Sequence, residues 1–251
     1  MHTVAIASPK GGTGKTTTAV NLAAVLAGEM DRPTLLIDLD PQGGALAHLD
    51  LQFRKDAPTL IEILNGRTWA SSVCSTAINQ LDVAPSSPKL ASLEAAGKIP
   101  ATRLRVRLRE IPAGRYLHVL VDCPPGLRHL VVVALAAADL VLVPVECRPL
   151  AYLGVSEVLE FVDTVRAKWN PELSRHRVWI LPTRFDRRTK ISEKVVAALE
   201  LEHASRVLSP IPENVALSYA SAARVPVTVS APSSPGAKAY RQLAKKFADG
   251  L

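Results

Sequence analysis

The sequence predicts an α/β fold: a doubly wound, mostly parallel sheet flanked by helices. Three observations predict it. Short apolar runs at 4–7, 33–40, 117–122, 139–145 and 178–183 are separated by stretches long enough for helices, the rhythm of βαβ units. The run at 139–145 is apolar on both faces, as expected of a strand buried inside a parallel sheet. The first run leads directly into Ser8-Pro9-Lys10-Gly11-Gly12-Thr13-Gly14-Lys15-Thr16-Thr17, a Gly-rich turn that opens into the helix-forming stretch 18–27.

The 251 residues suit one domain, 1–251, with an ample core. Apolar residues make up 48% and charged residues 21%, a balance that argues against disorder, and no apolar run approaches the length of a membrane span. The chain enters its first strand almost at once, so neither a signal peptide nor an N-terminal DNA-reading extension is expected. Cys74, Cys123 and Cys147 form no C-x-x-C pair. Such a sparse, odd set fits a reducing cytoplasm, with Cys123 and Cys147 read as core thiols. A net charge of +7 favours contact with nucleic acid or anionic lipid.

The turn after the first strand carries the most chemistry. Gly11, Gly12 and Gly14 let the backbone turn tightly and aim its N–H groups at a phosphate. The following helix adds unpaired N–H donors and the positive end of its dipole. In a phosphate loop of this kind Lys15 reaches the β- and γ-phosphates and the Thr16 hydroxyl binds Mg²⁺. The general pattern G-x-x-x-x-G-K-[ST] asks for Gly at position 9, where this chain has Pro9, with Lys10 as a second lysine at the front of the loop.

The run 33–40 ends in Asp38 and Asp40, followed by Pro41-Gln42-Gly43-Gly44. Ligands collect at the carboxyl ends of strands in open parallel sheets, which places both acids beside the loop. Their period-2 spacing aims both at one face. Short helices are expected at 59–66, closed by Gly66, and at 88–96, with a strand and turn over 80–87 between them. Arginines 103, 105, 107 and 109 alternate with apolar residues; the alternation suggests a strand, whereas flanking Pro100 and Pro112 favour a short helix, either solvated or in contact with DNA or a partner. The run 117–122 ends in Asp122, the arrangement in which a carboxylate holds Mg²⁺ directly or through water. Helices follow at 127–138 and at 152–169, the latter with a core stripe of Leu153, Val155, Val158, Leu159, Val162 and Val165. After the strand 178–183 comes a basic cluster, Arg184, Arg187, Arg188, Lys190 and Lys194, that runs into a helix over 192–203. A last helix covers 234–247, and its tail is too poor in bulky apolar groups for a membrane anchor.

Lys-Gly-Gly-x-Gly-Lys-Thr-Thr over 10–17, Asp-Leu-Asp-Pro-Gln-Gly over 38–43 and the apolar run ending in Asp122-Cys-Pro-Pro resemble the signatures of the MinD/ParA superfamily of P-loop NTPases, and ParA/Soj-like partition ATPases within it. The resemblance extends over nearly the whole chain. It implies binding of ATP and Mg²⁺ by Lys10, Gly11, Gly12, Thr13, Gly14, Lys15, Thr16 and Thr17, with Asp40 orienting the attacking water and Asp38 supporting the Mg²⁺ shell beside Thr16 and Asp122. Lys10 is assigned to the phosphates of a partner subunit across an ATP-dependent homodimer. Pro212 and Asn214 match an Ile-Pro-x-Asn-Val segment that flanks the adenine. The family usually has Asn at Gly44 and often Asn at Thr183, so Thr183 carries little weight as a base contact. It often has a basic DNA contact at Ala216, a role that does not transfer; Arg206, Arg224 or the cluster at 184–194 must then supply the charge. The implied function is plasmid or chromosome partition on the nucleoid: the dimer binds DNA non-specifically, and hydrolysis, stimulated by a ParB-like centromere-binding adaptor, releases it. A positioning ATPase for a protein cargo and a MinD-like membrane-site ATPase are the alternatives, the latter without its lipid-binding tail.

Overall fold

The computed structural model describes residues 1–51, 57–149 and 153–249. Its strands are β1 (His2–Ile6), β2 (Thr34–Asp38), β3 (Cys74–Ser75), β4 (Leu81–Ala84), β5 (His118–Asp122), β6 (Leu140–Glu146) and β7 (Val178–Thr183). They form one sheet in the order β3-β4-β2-β5-β1-β6-β7, parallel throughout except for the two-residue edge strand β3, which runs antiparallel to β4. The doubly wound, mostly parallel sheet is the one the apolar runs predict.

The helices are α1 (Lys15–Ala24), α2 (Gly44–His48), α3 (Leu60–Leu64), α4 (Lys89–Ala95), α5 (Arg103–Leu108) and α6 (His129–Ala137), then α7 (Leu153–Lys168), α8 (Lys190–His203), α9 (Val215–Ala222), α10 (Val227–Ser230) and α11 (Pro235–Ala248). A π-helical turn, Val25–Glu29, extends α1. Alternation along the strands divides the core in two. Ala5, Leu35, Ile37, Val119, Val121, Val141 and Val143 face one side, packed with α5, α6 and α7. Val4, Ile6, Leu36, Leu120, Leu140 and Leu142 face the other, against α1 and α11. The pleat sends successive side chains to opposite faces, so both faces need an apolar helix layer.

Local signals set several boundaries. Thr59 caps α3 in a capping box, its hydroxyl accepting from the Ile61 N–H while Glu62 accepts from the Thr59 N–H at 2.6 Å. Pro235 stands in the first turn of α11 and Ser234 caps it. The apolar face of α11, with Tyr240, Leu243, Ala244 and Phe247, is buried in the core, so it has no free apolar stripe to offer a lipid surface. No helix among the described residues is long and apolar enough to cross a membrane. The start of the helix predicted over 152–169 lies at Tyr152, outside the described residues, as does the Leu153 side chain; the rest of its stripe is buried as expected. The arginine alternation resolves as the helix α5. Its basic side chains are not uniformly solvated: Arg107 is buried and donates to the Arg67 carbonyl at 2.8 Å, and Arg105 donates to the Trp169 carbonyl. Cys123 and Cys147 are buried, and burial pushes the Cys147 thiol up to about 12.

Candidate functional site

The sheet order explains why the three predicted carboxylates and the loop meet. β5 lies between β2 and β1, with Asp38 in register with Asp122 and Asp122 in register with Ile6. All three strands are parallel, so their carboxyl ends share one edge of the sheet, and the chain leaving β1 forms the loop 7–14 there. The chain leaves β2 at Asp38, and Asp40 sits past the strand in a turn closed by the Gly43 N–H on the Asp40 carbonyl at 2.9 Å. The two acids therefore differ more than a shared strand face predicts: Asp38 is fully buried and Asp40 half-buried.

The loop turns back on itself through Gly12 (φ 75°) and Gly14 (φ 91°), a region that L side chains rarely adopt. Gly14 precedes α1, and no side chain caps this helix or places an acid in its first turn. The first N–H groups of α1 thus point at the loop's concavity without a side-chain acceptor. Lys15 is buried, its ammonium donating to the Lys10 carbonyl at 3.0 Å. Burial lowers its pKa, while the nearby Asp122 and Asp40 charges oppose that shift. Thr183, at the end of β7, donates its hydroxyl to the Thr13 carbonyl at 2.8 Å and braces the loop from the other side. Lys10 itself is exposed at the loop's front.

Beneath the loop lies an unusual concentration of buried charge. Both oxygens of Asp122 and one of Asp38 (Oδ1) are buried without a hydrogen-bond partner, as is the Thr13 hydroxyl; the other Asp38 oxygen accepts from the Ala45 N–H at 3.0 Å. Burial, with Asp40 adding like charge, pushes Asp122 up to about 7 despite the Thr16 hydroxyl and Lys15 close by. Burial and the Asp122 charge likewise raise Asp38 well above the usual carboxylate range. Buried carboxylate oxygens left unpaired are costly unless a cation neutralises them. The donor set, two carboxylates beside a threonine hydroxyl, suits a hard divalent ion with oxygen ligands. Gly44 packs close beside this set: a Cβ there would approach Thr16 Cγ2 to 3.2 Å and Oγ1 to 3.4 Å.

From the loop a cavity of about 560 Å³ runs outward, lined by Gly11–Thr17, Asp40 and Thr183 at one end and by Ile211, Pro212 and Asn214 further on. Asn214 caps α9, accepting from the Ala216 N–H at 3.0 Å. The face of α9 at spacing i, i+3, i+4, i+7 from Asn214, namely Leu217, Ser218 and Ser221, completes the wall with His48. None of these four was singled out from the sequence. Only the helix spacing after Asn214 signals the α9 face, and nothing local signals His48.

The predicted DNA-contacting cations fall into two groups. Arg187, Lys190 and Lys194 are exposed, and their side chains have no hydrogen-bond or ion-pair partner among the described residues. Arg188 is held by Asp186 in a paired contact at 3.0 Å, Arg184 lies 3.4 Å from Glu146 at the cavity's edge, Arg206 donates to the Arg175 carbonyl, and Arg224 pairs with Asp50.

Comparison with known proteins agrees with this geometry. The family model of an AAA domain (AAA_31) matches residues 1–175. The chain is 39% identical over 249 residues to the chromosome-partitioning ATPase Soj of Thermus thermophilus, covering 98% of this chain and 95% of that one. It is 36% identical over 252 residues to the chromosome partitioning protein ParA of Caulobacter vibrioides, covering 98% and 93%. Among solved structures, cobyrinic acid a,c-diamide synthase from Mycobacterium smegmatis, with bound ATP analogue and magnesium, is similar with a TM-score of 0.82 and 30% identity, over 99% of this chain and 94% of that one. With its phosphate loop, its paired strand-end carboxylates and this likeness along its length, the chain belongs to the ParA/Soj family of P-loop NTPases.

Proposed function

We propose that the protein is a partition ATPase that uses Mg-ATP to form a DNA-binding dimer and hydrolysis to leave it. The observation that carries the chemistry is the meeting of Lys15 and the uncapped start of α1 with buried Asp38 and Asp122, which between them leave three carboxylate oxygens unpaired. The loop N–H groups and Lys15 bind the triphosphate. Thr16, Asp38 and Asp122 hold Mg²⁺, which when bound neutralises charge on the phosphates and on these carboxylates. Asp40, the one half-buried acid of the three, has solvent access and orients the attacking water. Phosphoryl transfer asks the protein for positioning and charge compensation more than for covalent chemistry. Lys10, exposed and ahead of the loop, reaches the phosphates of a second subunit in a sandwich dimer. The exposed Arg187, Lys190 and Lys194, in a chain of net charge +7, supply non-specific DNA contact, and a ParB-like adaptor stimulates hydrolysis.

The test of the enzymatic half is phosphate release from Mg-ATP with and without DNA. Lys15→Ala is expected to lower the rate at least about a hundredfold, in line with removing a phosphate clamp. An unchanged rate in that variant would place the chemistry elsewhere.

A further inference from the structure

One wall of the cavity contains a hydrogen-bond relay whose direction follows from a neutral His48 ring. His48 Nδ1 lies 2.8 Å from the Gly44 carbonyl. A carbonyl only accepts, so Nδ1 carries the hydrogen, and in the neutral ring Nε2 is a bare acceptor. The Ser221 hydroxyl lies 2.7 Å from that Nε2 and therefore donates to it. Ser221 has thus committed its one proton, and what its oxygen offers the cavity is lone pairs. The two residues are 173 positions apart, on α2 and α9, and the same two segments are joined again by Arg224 and Asp50 at 3.4 Å. This second link braces the wall beside the relay.

We propose that Ser221, oriented by His48, accepts a hydrogen bond from a ribose hydroxyl of the bound nucleotide and makes the site discriminate ribonucleotides from their deoxy counterparts. The inference rests on the nucleotide-binding reading above. The lining of the cavity sorts by chemistry. Its phosphate end is built from N–H groups and Lys15, and Ile211, Pro212 and Leu217 give it an apolar surface suited to a base. Ser218, Ser221 and His48 give it a polar stretch suited to a sugar. A ribose presents hydroxyl donors, and an acceptor held in one orientation pairs with such a donor without first reorganising. A deoxy position leaves the acceptor unpaired, so the penalty falls on the deoxynucleotide. Ser221 is the contacting residue; His48 acts through it.

Calorimetric titration of the Mg-treated protein with non-hydrolysable ATP and with its 2′-deoxy and 3′-deoxy analogues tests this. The wild type is expected to bind the ribonucleotide about three- to tenfold more tightly than at least one deoxy analogue, the worth of one hydrogen bond. Ser221→Ala loses that ratio mainly through weaker ribonucleotide binding. His48→Ala reduces the same ratio with Ser221 intact, which a merely structural role in holding α2 would not do. Thermal melting of each variant shows that it is folded. Equal ratios in the wild type and both folded variants would overturn the assignment while leaving nucleotide binding standing. Failure of the wild type to bind any of the three nucleotides would overturn the nucleotide reading itself, and this inference with it.

Discussion

At the scale of single residues, the site is a balance of charges that burial makes expensive. Asp122 is the clearest case. Its carboxyl is pushed up to about 7 in the folded chain, above an ordinary value of 3.8. Such a group favours the folded state when protonated, and that stability is lost as the pH rises from about 4 through 7. In metal-free protein Asp122→Asn, which keeps the neutral form at every pH, is therefore expected to be more stable than the wild type at pH 8, by on the order of 2–4 kcal/mol. The gap should close towards pH 4. Urea unfolding in a chelator at the two pH values checks this; a variant less stable than the wild type at pH 8 would contradict it. Magnesium should reverse the order, stabilising the wild type and not the variant. The placement of Lys15, Thr16, Asp38 and Asp122 was legible because each stands at a strand end or helix start that motif spacing identifies. His48 and Ser221 were not, since the contact between them depends on where α2 and α9 dock.

At the scale of elements, one close approach between α11 and α9 shapes the wall of the cavity. Gly236, in the first turn of α11, is buried, and an added Cβ would meet Leu217 Cγ at 2.9 Å and both Cδ atoms at 3.2 Å. Leu217 is the apolar cavity-lining residue on α9. Gly236→Ala gains at most about 1 kcal/mol in helix propensity and loses about 1–3 kcal/mol to overpacking. The expected result is a small net loss of stability together with weaker nucleotide binding, as Leu217 is driven into the cavity. Urea midpoints and calorimetric titration read the two effects; a variant that is more stable and binds unchanged would show that α9 is not set by this contact. Element boundaries were legible at Thr59, Ser234 and Pro235, where a cap or a proline marks them, but not at Thr189 and Asn214, which cap α8 and α9. The arginine alternation of α5 was ambiguous because period 2 in charge imitates a strand, and only docking of Arg107 onto the Arg67 carbonyl and of Arg105 onto the Trp169 carbonyl shows what two of those cations do.

At the scale of the whole molecule, the strand order does the organising. Inserting β5 between β2 and β1 brings Asp38, Asp122 and the loop after β1 to one edge of the sheet. The chain was read as a parallel sheet from its apolar runs, the helical stretches between them and the Gly-rich turn, and the order of those strands came only with the fold. Charge is the property that sequence described least well. Of the seven basic residues expected to meet DNA, Arg188 and Arg224 are ion-paired within the chain, Arg206 donates to a carbonyl, and Arg184 stands beside Glu146 at the cavity. Exposed Arg187, Lys190 and Lys194 therefore carry the proposal of DNA contact, and pairing of two subunits would double their number on one particle. The most direct measurement is co-sedimentation with DNA in ATP, ADP or no nucleotide, at low and high salt, for the wild type beside Lys10→Ala. The account predicts binding that requires ATP, weakens steeply with salt and is lost in the variant. Absence of binding under every nucleotide would contradict it and direct attention to a protein cargo instead.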